Sequence, residues 1–217
     1  MKLYSIDNSP YAARVRMAIR HRQLPVEICP PPEPLRSAEF MKSYPLGKVP
    51  LLELDSGATI AESTVILDYL EDVYPEGSMR ADTALGRARD GMLGRWADTH
   101  LPGALFPLFG MMFRGEPAEA ERVGELVEPL DREMAKLARL LAEDPDSAGR
   151  ALLLGDLCAA SSVAYVSEAL SYLALEALPE RYPDCATWWS WVNGFEAVRA
   201  TLEEMLSAHH AIVGARG

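Results

Sequence analysis

The chain has 217 residues, long enough for one or two small domains. Its 21 Lys and Arg stand against 32 Asp and Glu, a net charge of −11 that argues against a nucleic-acid partner. Hydrophobic residues reach 49%, enough for a core and too many for disorder, yet no stretch approaches the roughly 20 apolar residues of a membrane span.

Residues 1–8 hold no apolar leader segment, so no signal peptide is expected. Residues 2–5 read as a first strand. Pro10 then suits a first helical turn, because its fixed φ is helical and its missing N–H would be unpaired there anyway. Tyr11, Val15, Ala18 and Ile19 recur at helical spacing and predict a helix to about Arg22. Residues 25–29 alternate and predict a second strand. Residues 30–34, four prolines and a glutamate, form an extended loop, and residues 37–43 have room for a short helix. Residues 49–54 and 58–60 flank Asp55-Ser56-Gly57 and predict a hairpin. Ile66, Tyr69, Leu70 and Val73 mark an amphipathic helix closed by Pro75 and Gly77. This order predicts a small α/β domain with a mixed sheet, its first two strands parallel.

Beyond residue 77 strand signals fade. Residues 82–114 can hold a long helix bent near Pro102 and Pro107. Leu126, Leu130, Met134, Leu137 and Leu141 form a helical stripe that residues 144–146 end. Residues 158–177 are mostly apolar and predict a central buried helix. Residues 183–193 and 196–206 complete a bundle. Cys29, Cys158 and Cys185, odd in number and far apart, read as reduced thiols of a cytoplasmic protein. The four histidines show no metal spacing, and His209-His210 reads as exposed. Phosphate-loop, dinucleotide and nucleophile-elbow motifs are missing.

Three segments carry a resemblance: Ser9-Pro10-Tyr11-Ala12-Ala13-Arg14-Val15-Arg16, Tyr44-Pro45-Leu46-Gly47-Lys48-Val49-Pro50-Leu51-Leu52-Glu53, and Ile60-Ala61-Glu62-Ser63-Thr64-Val65-Ile66-Leu67-Asp68-Tyr69-Leu70. In this order, ahead of an all-helical half, the sequence resembles the soluble glutathione transferase superfamily, serine-type, with motifs nearest the tau and zeta classes. The resemblance implies a thioredoxin-like domain with a mixed four-stranded sheet over residues 1–77, a linker at 78–84, and a helical bundle over 85–217. It also implies glutathione as co-substrate, an apolar electrophile as acceptor, no metal, and a homodimer.

Each motif has two readings. On the residues alone, Ser9 is a helix N-cap. The resemblance implies instead that its hydroxyl faces the glutathione sulfur. A thiol with a free pKa near 8.5 is mostly protonated at neutral pH, and hydrogen bonding to the thiolate lowers that value. Moving it by about two units takes roughly 2.7 kcal/mol, within reach of a charge-assisted hydrogen bond and a helix N-terminus. A serine cannot form the mixed disulfide of the cysteine-type members. Pro50 reads alone as the first residue of an edge strand; the resemblance implies a cis Val49–Pro50 bond that offers the Val49 main chain to an extended peptide. Glu62 and Ser63 read alone as capping residues, and implied are contacts to the ammonium and carboxylate of the γ-glutamyl end. Lys48, with Arg36 as second candidate, is a surface charge or a partner of the glycine carboxylate. Tyr11, Trp96, His100 and Phe106, with Phe109, Met112 and Phe113, are candidates for an acceptor pocket between the domains, and each equally reads as core packing. Cys158 and Ser161 stand where the family has the Ser/Thr and Asp of a helix cap, which weakens that cap unless Asp156 or Ser161 compensates.

The function expected is thiolate attack on an electrophilic small molecule. The alternatives are a glutathione-dependent isomerase of the maleylacetoacetate type and a non-catalytic adaptor or ligand-binding protein.

Overall fold

A computed structural model describes residues 1–115, 119–144 and 147–214, with only the backbone of Phe113, Ala120 and Glu121. Four strands of three residues form one mixed sheet in the order β2-β1-β3-β4. β1 is Lys2–Tyr4, β2 Glu27–Cys29, β3 Leu51–Glu53 and β4 Thr59–Ala61. β1 runs parallel to β2, with Tyr4 opposite Cys29, and antiparallel to β3, with Tyr4 opposite Leu51. β3 and β4 form the expected hairpin, with Leu51 opposite Ala61. Gly57 turns it at φ +82°, a conformation that glycine adopts without a Cβ clash. Each strand is shorter than its predicted run.

Helix α1 (Pro10–His21) crosses from β1 to β2. α2 is Ala38–Ser43, capped by Ser37, whose hydroxyl accepts from the Phe40 N–H at 3.1 Å. α3 is Ser63–Val73. Leu3, Leu52, Ile66 and Leu70 pack under the sheet with Ala13 and Val15 of α1. This is a thioredoxin-like N-terminal domain followed by a mostly helical C-terminal region.

The long helix expected over 82–114 is three pieces. α4 (Ala84–Arg95) runs into a π-helical turn, Trp96–His100, and then α5 (Leu101–Arg114). The break precedes Pro102, and Pro107 sits inside α5. α6 (Ala120–Ala142) buries all five residues of its predicted stripe. Of the segment expected to end it, Pro145 and Asp146 lie outside the described residues. α7 (Leu154–Tyr172) is buried along most of its length, as an all-round apolar helix must be. α8 (Leu178–Arg181), α9 (Pro183–Asn193) and α10 (Glu196–Gly214) close the bundle, α10 running well past the expected residue 206.

The start of α7 corrects the expected cap. The helix begins a turn earlier, with Leu153 at the N-cap. The buried Asp156 carboxylate accepts from the Leu153 N–H at 2.9 Å, from Arg150 at 2.6 and 3.2 Å, and from Trp188 Nε1 at 3.0 Å. Ser161 instead donates to the Cys158 carbonyl at 3.0 Å inside the helix. The charge lost at position 161 is supplied five residues upstream. The Trp188-Trp189-Trp191 cluster packs around this cap, with Arg150 over the Trp191 ring at 5.5 Å.

The two halves meet along α1. Its Arg14, fully buried, pairs with Asp98 of the π-helical turn at 2.6 Å. Its Arg20 pairs with Glu204 of α10 at 2.9 Å. Just past α1, Arg22 pairs with the buried Glu71 of α3 at 2.7 Å, and Glu71 also accepts from the Met79 N–H at 3.0 Å, which straps residues 78–79 to α3.

Candidate functional site

Sheet register brings the three motifs to one end of the N-terminal domain. Leu51 pairs with Tyr4 on one side and Ala61 on the other. The segment leaving β1 toward Ser9, the Val49–Pro50 bond entering β3, and the Glu62–Ser63 step leaving β4 therefore emerge side by side. The Val49–Pro50 bond is cis, as the resemblance implied.

Ser9 is the N-cap of α1, and its hydroxyl oxygen accepts from the Ala12 N–H at 3.2 Å. The residue is half-buried, and accepting that bond leaves the hydroxyl proton free for another partner. The N-terminus of α1 adds a partial positive charge at the same point. Tyr11, also half-buried, lies over the Arg14 guanidinium at 4.9 Å. Burial raises its phenol; Arg14 offsets this, while the carboxylates of Asp98 and Glu62 add to it. Tyr11 is thus within electrostatic reach of Glu62.

Glu62 sits at φ +70°, in the left-handed region that side chains other than Gly and Asn enter at a cost. Its side chain is exposed, and Ser63 behind it is buried as the first residue of α3. An anion at this helix start meets unpaired N–H groups, with a carboxylate one residue away for an attached ammonium. Lys48 is exposed beside the cis bond, and Gly47 before it takes φ +62°. Arg36 is exposed, with φ +63°. Tyr44, where the family often has Asn, packs on Phe40 at 4.9 Å and Tyr4 at 6.0 Å, and donates to Glu53 at 3.3 Å.

No cysteine of the chain is an activated thiol. Burial pushes Cys158 up to about 11 and Cys185 up to about 12, and it raises Cys29 as well. A sulfur nucleophile at this site has to come from a ligand.

A family model described as the glutathione S-transferase N-terminal domain matches residues 3–78. Maleylacetoacetate isomerase of Pseudomonas aeruginosa is 33% identical over 95 residues, 42% of this chain and 45% of that protein. Glutathione S-transferase U6 of Arabidopsis thaliana is 26% identical over 136 residues, 62% of this chain and 60% of that one. Both matches span less than two thirds of the relative's length. Among solved structures, a glutathione S-transferase from Methylobacterium radiotolerans, in complex with glutathione sulfonate, is 26% identical with a TM-score of 0.71 over 93% of each chain. The chain belongs to the soluble glutathione transferase superfamily.

Within this transferase fold, the expected acceptor residues separate into two groups. Phe106, 54% exposed, stacks on Phe109 at 6.4 Å, and Phe109 meets the Tyr165 ring edge-on at 4.7 Å. Trp96 and His100 instead line a cavity of about 660 Å³ between α4 and α6, with Met92, Lys136, Arg139 and Leu140; its lining includes no residue of the N-terminal domain. The π-helical turn is the reason. It holds one residue more than α-helical register, so Phe106 follows Trp96 by nine effective steps of about 100° and faces the opposite side. Met111 and Met112 are core residues, and the Phe113 side chain lies outside the described residues.

Two residues were missed. Tyr165 donates its hydroxyl to the Asn8 carbonyl at 2.6 Å. His209, expected to be exposed, is 2% exposed and packs edge-on against Tyr165 at 5.2 Å; only His210 is exposed. A tyrosine within an apolar helix reads as core, and the length of α10 was the only signal that could have buried His209.

Proposed function

We propose that the chain binds glutathione at this sheet end, holds it as a thiolate, and joins it to an apolar electrophile. The observation that supports this best is the convergence of Ser9 with Glu62 and Ser63, a hydroxyl donor beside a paired anion-and-ammonium subsite. Ser9 donates to the sulfur; the bond it accepts from Ala12 polarises its O–H and strengthens that donation. Glu62 takes the α-ammonium, Ser63 and the first N–H groups of α3 take the α-carboxylate, and Lys48 takes the glycine carboxylate. The main chain of Val49, held by Pro50, pairs with the cysteinyl unit as an added strand. Tyr11 and Phe106 line the acceptor side. The sulfur lone pair forms the new S–C bond, and the leaving group departs with its own pair. Where the acceptor is an activated alkene, the displaced pair takes a proton from solvent.

Ser9→Ala tests the assignment. The expected result is a bound-glutathione thiol pKa raised by about two units and conjugation slowed about a hundredfold at neutral pH, with glutathione affinity nearly unchanged. An unchanged thiol pKa and rate would refute it. Retention on a glutathione column separates this reading from a pure adaptor, which flows through.

A second reading, glutathione-dependent isomerisation, is favoured by the name of the Pseudomonas relative. There the same thiolate adds to the substrate and is expelled again, so glutathione is not consumed; its balance after turnover distinguishes the two. The proposal includes a homodimer in a reducing cytoplasm. Exposed Val65 and Val73 on α3 and Leu85 and Met92 on α4 offer a second copy apolar surface, and all three cysteines are free. Light scattering reads the mass.

A further inference from the structure

The loop between β1 and Ser9 has little main-chain support of its own and is held by side chains from three helices. Three successive carbonyls are occupied. Arg16 donates to Ile6 at 2.9 Å and to Asp7 at 2.8 Å, and Tyr165 donates to Asn8 at 2.6 Å. Arg16 also donates to the Ser5 hydroxyl at 2.7 Å, and Glu204 of α10 steadies its Nε at 3.4 Å.

The Asn8 contact differs from the others in what it fixes. The Asn8 carbonyl and the Ser9 N–H belong to one planar peptide unit. The oxygen of that plane is held by Tyr165, and its N–H donates to the Ile6 carbonyl at 3.2 Å. With both edges held, the plane cannot rotate, and the φ of Ser9, −87°, is set. That angle and one side-chain torsion determine where the Ser9 hydroxyl points. Tyr165 is itself fixed, its ring edge-on between Phe109 at 4.7 Å and His209 at 5.2 Å. The charged groups around its phenol are Glu168 of its own helix and Arg16 of α1, and burial keeps the phenol protonated well beyond its usual range.

We propose that Tyr165 is a positioning residue for Ser9: through the Asn8 carbonyl it aims the serine hydroxyl at the glutathione sulfur, and its ring ties that aim to the aromatic side of the acceptor pocket. This rests on the assignment of Ser9 to the thiolate. Tyr165 touches neither sulfur nor acceptor carbon in this role, so its loss lowers thiolate formation and leaves glutathione affinity alone.

The test is Tyr165→Phe, which keeps the ring and its packing and removes one donor. Thiolate absorbance of bound glutathione against pH should show the thiol pKa raised by about one unit. At pH values below both pKa values, kcat should then fall about tenfold, with recovery at alkaline pH and KM for glutathione within about twofold. In glutathione-free protein the Ser9 amide should exchange its hydrogen about tenfold faster. In a Ser9→Ala background, Tyr165→Phe should add nothing to the thiol pKa, because the two act through one hydroxyl. Additive effects, or a thiol pKa and Ser9 exchange equal to the parent's, overturn the proposal. If Ser9→Ala alone leaves the thiol pKa unmoved, the function assigned to Ser9 fails, and the exchange of the Ser9 amide still decides whether Tyr165 fixes the loop.

Discussion

The Gly155 N–H donates to the Asp90 carboxylate at 2.7 Å, and a Cβ at position 155 would overlap the Asp90 main chain. The first turn of α7 and the middle of α4 are therefore in backbone contact, which only glycine permits.

Gly155→Ala should force the two helices apart. Overpacking of this kind costs about 3 kcal/mol. A lower urea midpoint with an unchanged slope would record it.

Asp90 also makes stability depend on pH. Burial first, and then the nearby Asp156 carboxylate, raise its pKa to about 7. The folded chain keeps a proton that the unfolded chain releases between pH 3.8 and about 7. Asp90 therefore favours folding at the acid end of that window, and this contribution declines as pH rises through it. Asp90→Asn, which keeps an acceptor for Gly155, should be more stable than the parent at pH 8 by on the order of 2 kcal/mol. The difference should shrink toward pH 4 when thermal unfolding is followed across that range.

Asp156→Ala removes one buried carboxylate and leaves three donors, on Leu153, Arg150 and Trp188, without it. Stranding a buried charge and its neighbours costs roughly 3–5 kcal/mol. Trp188 is buried and bonded to this group, so its fluorescence gives a direct signal in denaturant titration.

Glu62→Gly separates stability from binding. Glycine tolerates φ +70° where glutamate is strained, so the variant should gain up to about 1 kcal/mol. It also removes the carboxylate assigned to the ammonium, and glutathione affinity should fall at least tenfold. Calorimetry of melting and of glutathione binding on one sample reads both.

Much of the fold was legible because its signals are local. Pro10, the turn at Asp55-Ser56-Gly57 and the stripe from Leu126 to Leu141 each announce an element within a few residues. The site was legible in part for the same reason: Ser9, Glu62 and Ser63 sit at helix starts, where composition is informative. What stayed hidden depends on distance or on register. Tyr165 meets Asn8 across 157 positions, and nothing near either residue signals the contact. The cap of α7 was misread because an apolar Leu153 takes the position that a polar residue usually marks. Trp96 and Phe106 were assigned to one wall because helical periodicity was counted through a turn that breaks it.

That turn makes the pocket open to change by a route other than side-chain substitution. The Leu101 N–H reaches back to the Trp96 carbonyl, five positions rather than four. Loss of a single codon here would let α4 run straight into α5 and swing every downstream side chain by about 100°. Phe106 and Phe109 would leave the neighbourhood of Tyr165 together, and other faces of α5 would take their turn before Ser9. A lineage carrying this fold could thus alter its acceptor preference in one genetic step, with the glutathione half of the site left as it is.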